Sequence, residues 1–549
     1  MDQRTVLAIG LSFALLMAYQ VFLSVYYPTP EQGTEIILQD DGSPVEGGVD
    51  SDVVVGKGAT GPVLETDGAK PQPVAQPVVY DPGPTASFEN SLVSGQISLN
   101  GGQLIDLRFF KHLTEMGENG EPIQYLNGSG PQQFFSESGF LSTPGLKMPG
   151  RDTNWQLAKG SGNLDEGEIL LVWDNGAGLQ FEKRLEFNRD SYLMTITDRV
   201  VNHTGEEIPV YHFAQLVRIR PEVSPDQAMA IADFEGPIGY LDGVRVLNAY
   251  DDIITQDYSQ KAMEGWAGFS DKFFLAAMIP GPEAKERKYY FDYDAPSYRV
   301  GVVSPKKSLK SDSDLVSSLQ YFIGPKEIRT LEAQNLNLER AIDYGWFHFL
   351  AVPLVQILLF FNDFFHNYGV AIIFLTILIK LLFFPLANKS YHSMAAMKKL
   401  QPKVEELRKN YKDDKQRMNQ EMMKLYQDNK VNPLGGCLPI AVQIPVFFAL
   451  YKVLFLSIEM RHTPFFLWVQ DLSVQDPYYV LPVLMGISMF IQSRMNPAPA
   501  DPVQAKVMML LPVVFTIFFL TFPSGLVLYW LVNNTLSILQ QGYIMKKTA

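Results

Sequence analysis

Cysteine is nearly missing: Cys437 is the single one in 549 residues. No intrachain disulfide can form, and no cysteine metal site can be assembled. Cys437 reads as a small packing residue at the edge of an apolar segment. Histidine is also scarce, at seven. Between residues 86 and 328 there is no HExxH, no GxSxG and no glycine-rich phosphate loop, which removes the best-known hydrolytic and nucleotide-binding chemistries. His203 and His212, nine apart, are expected to be structural or exposed. Positive charge is short in one half. Residues 28–342 hold 26 Lys+Arg against 46 Asp+Glu, whereas the whole chain carries −14, so the rest is net basic. An acidic half of this kind does not bind nucleic acid. The expectation is a protein with no metal, no cofactor, no catalysed reaction and no direct nucleic-acid partner.

Long apolar runs are abundant. TVLAIGLSFALLMAYQVFLSVYY (5–27) is longer than the core of a signal peptide and lacks an A-x-A cleavage site. Residues 1–27 are therefore expected to be an uncleaved transmembrane anchor, with Tyr26 and Tyr27 in the interfacial belt and Arg4 favouring a cytoplasmic N-terminus. Residues 28–85 are rich in Pro, Gly, Val and acids, with Tyr80 as their one aromatic. Such a stretch cannot bury enough surface to fold and reads as a flexible tether. From 86 the pattern changes to short alternating runs with turn signals, as in EILLVWDNGAGLQFEKRLEF, SYLMTITDRVVNHTGEEIPVYHFAQLVRI and KYYFDYDAPSYRVGVVS. This predicts a β-sandwich, closed by a helix over 328–343, so that the domain covers 86–343.

The second half is organised around YGVAIIFLTILIKLLFFPL (368–386), which carries one charge, Lys380. A charge inside a spanning segment raises a functional question. Either the lysine snorkels to the nearer headgroups along its own stem, or it faces a wet pocket. The span is expected over 368–387. Residues 344–367 before it contain Pro353, and their apolar part ends at Phe361. Only one crossing can separate an exported sandwich from the basic stretch after Leu386, so 344–367 is expected to be an interfacial amphipathic helix.

Residues 388–430 hold 11 Lys+Arg against 6 Asp+Glu. Met397, Leu400, Val404, Leu407 and Tyr411 fall at spacings of three and four, a coiled-coil seam; Met418, Met422 and Leu425 give a second stripe. Two short helices back to back predict a cytoplasmic hairpin. Its methionines, Met394, Met397, Met418, Met422 and Met423, suit a surface that accepts varied partners, while a solvated connector is the plainer alternative. Residues 431–549 contain four further apolar segments. The expected fold is thus a polytopic α-helical membrane protein of six transmembrane helices, five of them forming a core, with a large all-β sandwich outside. Both termini lie in the cytoplasm. Residues 28–344 and 459–477 fall outside, and 388–430, 496–506 and 546–549 inside.

Polar residues recur in the cytoplasmic halves of these segments: Lys380, Gln443, Gln492, Thr516, Asn533 and Asn534. The outer halves are Leu, Ile, Phe and Val. A cavity open to the cytoplasm would satisfy such groups together, and so would ordinary helix–helix hydrogen bonding. A transporter or a receptor with an exported ligand-binding sandwich is the alternative class. However, no internal repeat supports a transporter, and a receptor does not account for the lysine or the methionine-rich hairpin.

NPLGGCLPIAVQIPVFFALY (432–451), DPYYVLPVLMG (476–486), FPSGLVLYW (522–530), the QPK of 401–403 and DDKQRMNQEMMKLY (413–426) resemble the YidC membrane protein insertases of Gram-negative bacteria along the whole chain. The resemblance implies an inner-membrane insertase and chaperone. It would act on nascent membrane proteins in the lipid bilayer, alone or with the Sec translocon and its accessory subunits, and receive clients at the ribosome. It also implies a hydrophilic groove with a basic residue, usually Arg, at the position of Lys380. Lysine keeps that charge but not the planar fork of donors. Trp530 and Gln492 fall at positions resembling groove-lining residues of the family.

Overall fold

Alternating side chains on successive strands build the first unit. The structure, a computed structural model, describes residues 83–549 apart from 118, 161–166, 222–233, 282–285, 412–413, 430, 432–437, 497–501 and 549. The expected anchor (1–27), nearly all of the tether (28–85) and Cys437 lie outside the described residues. The chain divides at Asp343–Tyr344 into two units.

Up to Asp343 the strands form a ten-stranded and a nine-stranded sheet, all pairings antiparallel. Rings from the two sheets interlock: Phe109 stacks on Phe274 at 4.9 Å, and Phe134 meets Phe269 edge-on at 5.6 Å. This is the expected sandwich. Glu168–Asp174 and Leu179–Phe187 pair as a hairpin, with Trp173 opposite Phe181. The next expected pair differs. Leu193–Asn202 joins the nine-stranded sheet, whereas Ile208–Ile219 crosses to the ten-stranded one. The reason is burial: Val210 to Arg218 are almost continuously buried, so that strand lies centrally between two neighbours. The single helix expected over 328–343 is also two pieces, Ile328–Glu332 and a 3-10 turn at Leu338–Ala341. Asn335 and Asn337 between them adopt left-handed backbone (φ 55° and 57°), a conformation asparagine tolerates. Leu331, Leu338 and Ala341 are buried, and the Trp266 indole donates to the Asn337 carbonyl.

The second unit is helical: α1 (His348–Phe365), α2 (Tyr368–Leu382), α3 (Phe384–Asn410), α4 (Lys415–Asp428), α5 (Leu438–Leu456), α6 (Val480–Met495), α7 (Pro502–Phe518) and α8 (Ser524–Thr548). α1 runs unbroken through Pro353. Among the described residues, Gly345–Phe365 is the one stretch that is both long and apolar enough by itself to cross a membrane. The length argument for calling it interfacial therefore falls, and the argument from the number of crossings remains. α2 stops at Leu382, five residues before the expected end of its span. The chain then bends by 69° into α3, with Pro385 in the first turn of α3, where its missing N–H costs nothing. Val442–Leu456, Val480–Met495 and Lys506–Thr521 are apolar but shorter than 18 residues.

Two loop contacts fix the helix starts. The Asn367 carboxamide caps α2 at Val370 N and donates back to Phe465 O. Asp476, fully buried, caps α6 at Leu481 N and accepts from the Trp468 indole.

Candidate groove in the helical unit

Helix periodicity assembles the site. Trp530, Asn533, Asn534 and Ser537 occupy i, i+3, i+4 and i+7 of α8 and share one face. α8 packs against α2, α3, α5 and α6. A cavity of about 320 Å³ opens along that face. Gln443 and Phe447 of α5, Gln492 and Ser493 of α6, Leu511 and Pro512 of α7, and Tyr391 and Met394 of α3 complete its wall. A smaller pocket of about 40 Å³ adjoins it, lined by Lys380, Phe383, Leu386, Tyr391 and Gln443. Tyr391 and Gln443 belong to both.

A chain of hydrogen bonds joins three helices across this boundary. Lys380 Nζ on α2 donates to Ser537 Oγ on α8 at 2.7 Å. Ser537 Oγ donates to the Asn533 carbonyl at 2.8 Å. The Asn533 side chain accepts from Gln443 Nε2 on α5. No carboxylate partners Lys380 among the described residues. Asn534 Nδ2 donates to Ser488 Oγ at 3.1 Å inside the bundle, and Gln541 Nε2 donates to Asn496 Oδ1 at 3.0 Å where α6 ends. Trp530 forms the aromatic side of the wall, 4.6 Å from Phe447 and 5.3 Å from Phe519.

Of the residues singled out from the sequence, Gln443, Gln492, Trp530, Asn533 and Asn534 line the large cavity, and Lys380 reaches its edge through Ser537. Thr516 does not. Its hydroxyl donates to Pro512 O, one turn back, and lies against Gly486. It satisfies a helix carbonyl and closes the α6–α7 contact. Met394 leaves the expected hairpin surface and joins the cavity wall. Met397, Met418, Met422 and Met423 lie away from the cavity, with Met423 half exposed. Sequence reasoning missed Ser537 and Tyr391. The i+4 step from Asn533 to Ser537 was the available signal; Tyr391 was hidden because its position was assigned to the hairpin.

The sequence profile of the 60Kd inner membrane protein family matches residues 360–549, and that of the YidC periplasmic domain matches residues 85–357. A Magnetococcus marinus protein named membrane protein insertase YidC is 54% identical over 554 residues, covering 100% of this chain and 99% of that protein. The chain belongs to the YidC family. A Methylobacillus flagellatus protein of the same name is 39% identical over 467 residues, with 84% of each chain covered. A solved structure described as an active YidC insertase with its first transmembrane domain resolved is 18% identical, covers 84% of this chain and 93% of its own, and has a TM-score of 0.38. That score is too low to carry an argument. The YidC assignment rests on the sequence matches, which give an inner-membrane part after residue 360 and a periplasmic domain before it.

Proposed function

We propose that this YidC-family chain inserts and folds membrane proteins by receiving the polar end of a client in the α8-facing groove, with Lys380 as the attracting charge. The supporting observation is a lysine with no carboxylate partner among the described residues, held at the edge of a mainly apolar cavity into which Gln443, Gln492, Asn533 and Asn534 bring polar groups. A polar client tail must cross a hydrocarbon core of roughly 30 Å. A water-accessible groove part-way through the bilayer shortens the dry path. The cation lowers the cost of an acidic side chain waiting there. The client's apolar helix then moves along the exposed greasy faces, such as Leu378, Leu381, Leu382 and Ile487, into lipid. Burial of apolar surface drives that step.

In this reading the groove opens to the cytoplasm, α1 lies at the outer interface, and the basic α3–α4 segment is the cytoplasmic receiving surface for clients and the ribosome. Larger clients are shared with the Sec translocon. Six crossings with both termini inside satisfy the positive-inside rule.

The test is reconstitution of the purified protein into lipid vesicles without any other component, followed by addition of a small two-span client. Protease protection of the client's translocated segment is the expected result. Protection no greater than in empty vesicles would overturn the insertase reading of the groove.

A further inference from the structure

We infer that Ser537 is a positioning residue for the charge of the groove: it fixes the Lys380 ammonium at the boundary of the large cavity rather than leaving it in the small pocket or free to reach the headgroups. The inference rests on the reading that Lys380 attracts acidic client segments, and it assigns to that step a second residue with a defined hydrogen-bonding role.

Hydrogen-bonding capacity sets the roles of the two groups. A serine hydroxyl has one proton to give and lone pairs to receive with. A carbonyl oxygen only accepts, so in the 2.8 Å bond to Asn533 O the Ser537 proton is committed. An ammonium only donates, so in the 2.7 Å bond Ser537 Oγ is the acceptor and Lys380 the donor. The acceptor role toward Lys380 holds whichever way the hydroxyl proton points. Ser537 is 3% exposed, and the Tyr391 hydroxyl is a further hydrogen-bonding neighbour of its Oγ. Of the three ammonium donors of Lys380, one is used on Ser537, and the other two have no protein partner among the described residues. They remain for water or for a carboxylate.

Location decides what this does. Lys380 lines the pocket of about 40 Å³, and Ser537 lines the cavity of about 320 Å³. The hydrogen bond between them is what brings the charge to the larger space. Lysine has a flexible four-carbon stem that carries its ammonium to water wherever water is nearest. With the acceptor removed, the stem relaxes away from the cavity, and the groove keeps its charge but loses its placement. The backbone carbonyl of Asn533 holds Ser537 from within α8, while the Asn533 side chain separately accepts from Gln443.

The experiment uses the full chain in lipid vesicles with one small client in two versions, its translocated tail acidic or neutral. The readout is the ratio of the two insertion rates. It is measured for the unaltered protein, Ser537→Ala, Ser537→Thr, Lys380→Ala, and the Lys380→Ala/Ser537→Ala pair. Ser537→Ala is expected to lower the acidic-to-neutral ratio about tenfold, the factor that accompanies loss of a hydrogen bond to a charged group. Ser537→Thr, which keeps the acceptor, is expected to hold the ratio within about threefold, since only packing around the added methyl changes. In the Lys380→Ala background, removing the hydroxyl is expected to change the ratio no further, because the two residues act through one interaction. The assignment is overturned if Ser537→Ala leaves the ratio unchanged, if it slows both tails equally, or if it lowers the ratio as much without Lys380 as with it. A collapse of the ratio in Lys380→Ala but not in Ser537→Ala removes only the role of Ser537. An unchanged ratio in Lys380→Ala removes the capture reading and this inference together.

Discussion

The most consequential side chain of the sandwich is a lysine in the wrong place for its type. In LQFEKRLEF, Leu179, Phe181 and Leu185 point inward, and so does Lys183, which is 1% exposed. Its ammonium meets Asp198 at 2.5 Å and both the carbonyl and the hydroxyl of Ser138. His212 bonds the other carboxylate oxygen at 3.0 Å. Burial by itself would raise the Asp198 carboxyl, but Lys183 and His212 outweigh it and hold the group well below the usual carboxylate range. The network joins the two sheets, and it makes His212, expected from the sequence to be structural or exposed, a buried structural residue. Lys183→Met should destabilise the protein by about 3–5 kcal/mol, because the buried Asp198 charge would lose its cation and keep only His212 as a partner. Cooperative thermal unfolding at an unchanged temperature would contradict this. The pH dependence has a fixed sign. A carboxyl whose folded pKa is depressed contributes stability that is present above its unfolded value of about 3.9 and is lost as pH falls through the folded value. The unaltered protein should therefore lose melting temperature more steeply than Asp198→Asn as pH falls below about 4. Equal slopes would show that this carboxyl does not set the acid limit.

At the scale of elements, close approach between helices is the weak point. A Cβ added at Gly486 of α6 would sit 2.0 Å from Thr516 Oγ1 on α7. Thr516 cannot withdraw without giving up its bond to Pro512 O. Gly486→Ala should cost about 1–3 kcal/mol through overpacking, read as a lowered unfolding temperature in detergent. An unchanged temperature would mean the two helices part freely. α4 makes a separate prediction. Replacing Met418, Met422 and Met423 by Ser should reduce client crosslinking in the cytoplasmic region several-fold, on the order of what loss of adaptable apolar contact allows; unchanged crosslinking would make α3–α4 a connector only. Which elements exist was legible from apolar periodicity, but where they end was not. Phe383 to Leu386 kept the run apolar through a 69° bend, so hydropathy carried the expected span past Leu382. Asn335 and Asn337 broke an expected helix that was otherwise well patterned, because local backbone preference beat periodicity there. The groove face was legible in part. Trp530, Asn533 and Asn534 stood out by polarity or resemblance. Ser537 did not, because a serine in a membrane helix ordinarily bonds its own backbone, and here it does that as well as accepting from Lys380.

At the scale of the whole molecule, the division at Asp343–Tyr344 separates a sandwich from a helical unit that contains every groove residue. The sandwich is therefore expected to be accessory. Deleting residues 86–320 should leave insertion of a small client at more than about half its rate, since no groove contact is removed. Abolished insertion at an unchanged protein level would contradict this division of labour. The buried Leu331, Leu338 and Ala341 belong to the sandwich. The segment 328–343 is thus packed within the sandwich unit. The account as a whole stands on the charge at residue 380. The decisive measurement is insertion, in lipid vesicles, of one small client with an acidic or a neutral translocated tail by the unaltered protein and by Lys380→Arg, Lys380→Ala and Lys380→Glu. The account predicts that Arg retains the preference for the acidic tail. It predicts that Ala loses it and that Glu reverses it, since like charges a few ångströms apart at intermediate dielectric repel by several kcal/mol, on the order of 4. Equal loss for both tails across Ala and Glu would contradict electrostatic capture and leave Lys380 as a residue that only keeps the groove wet.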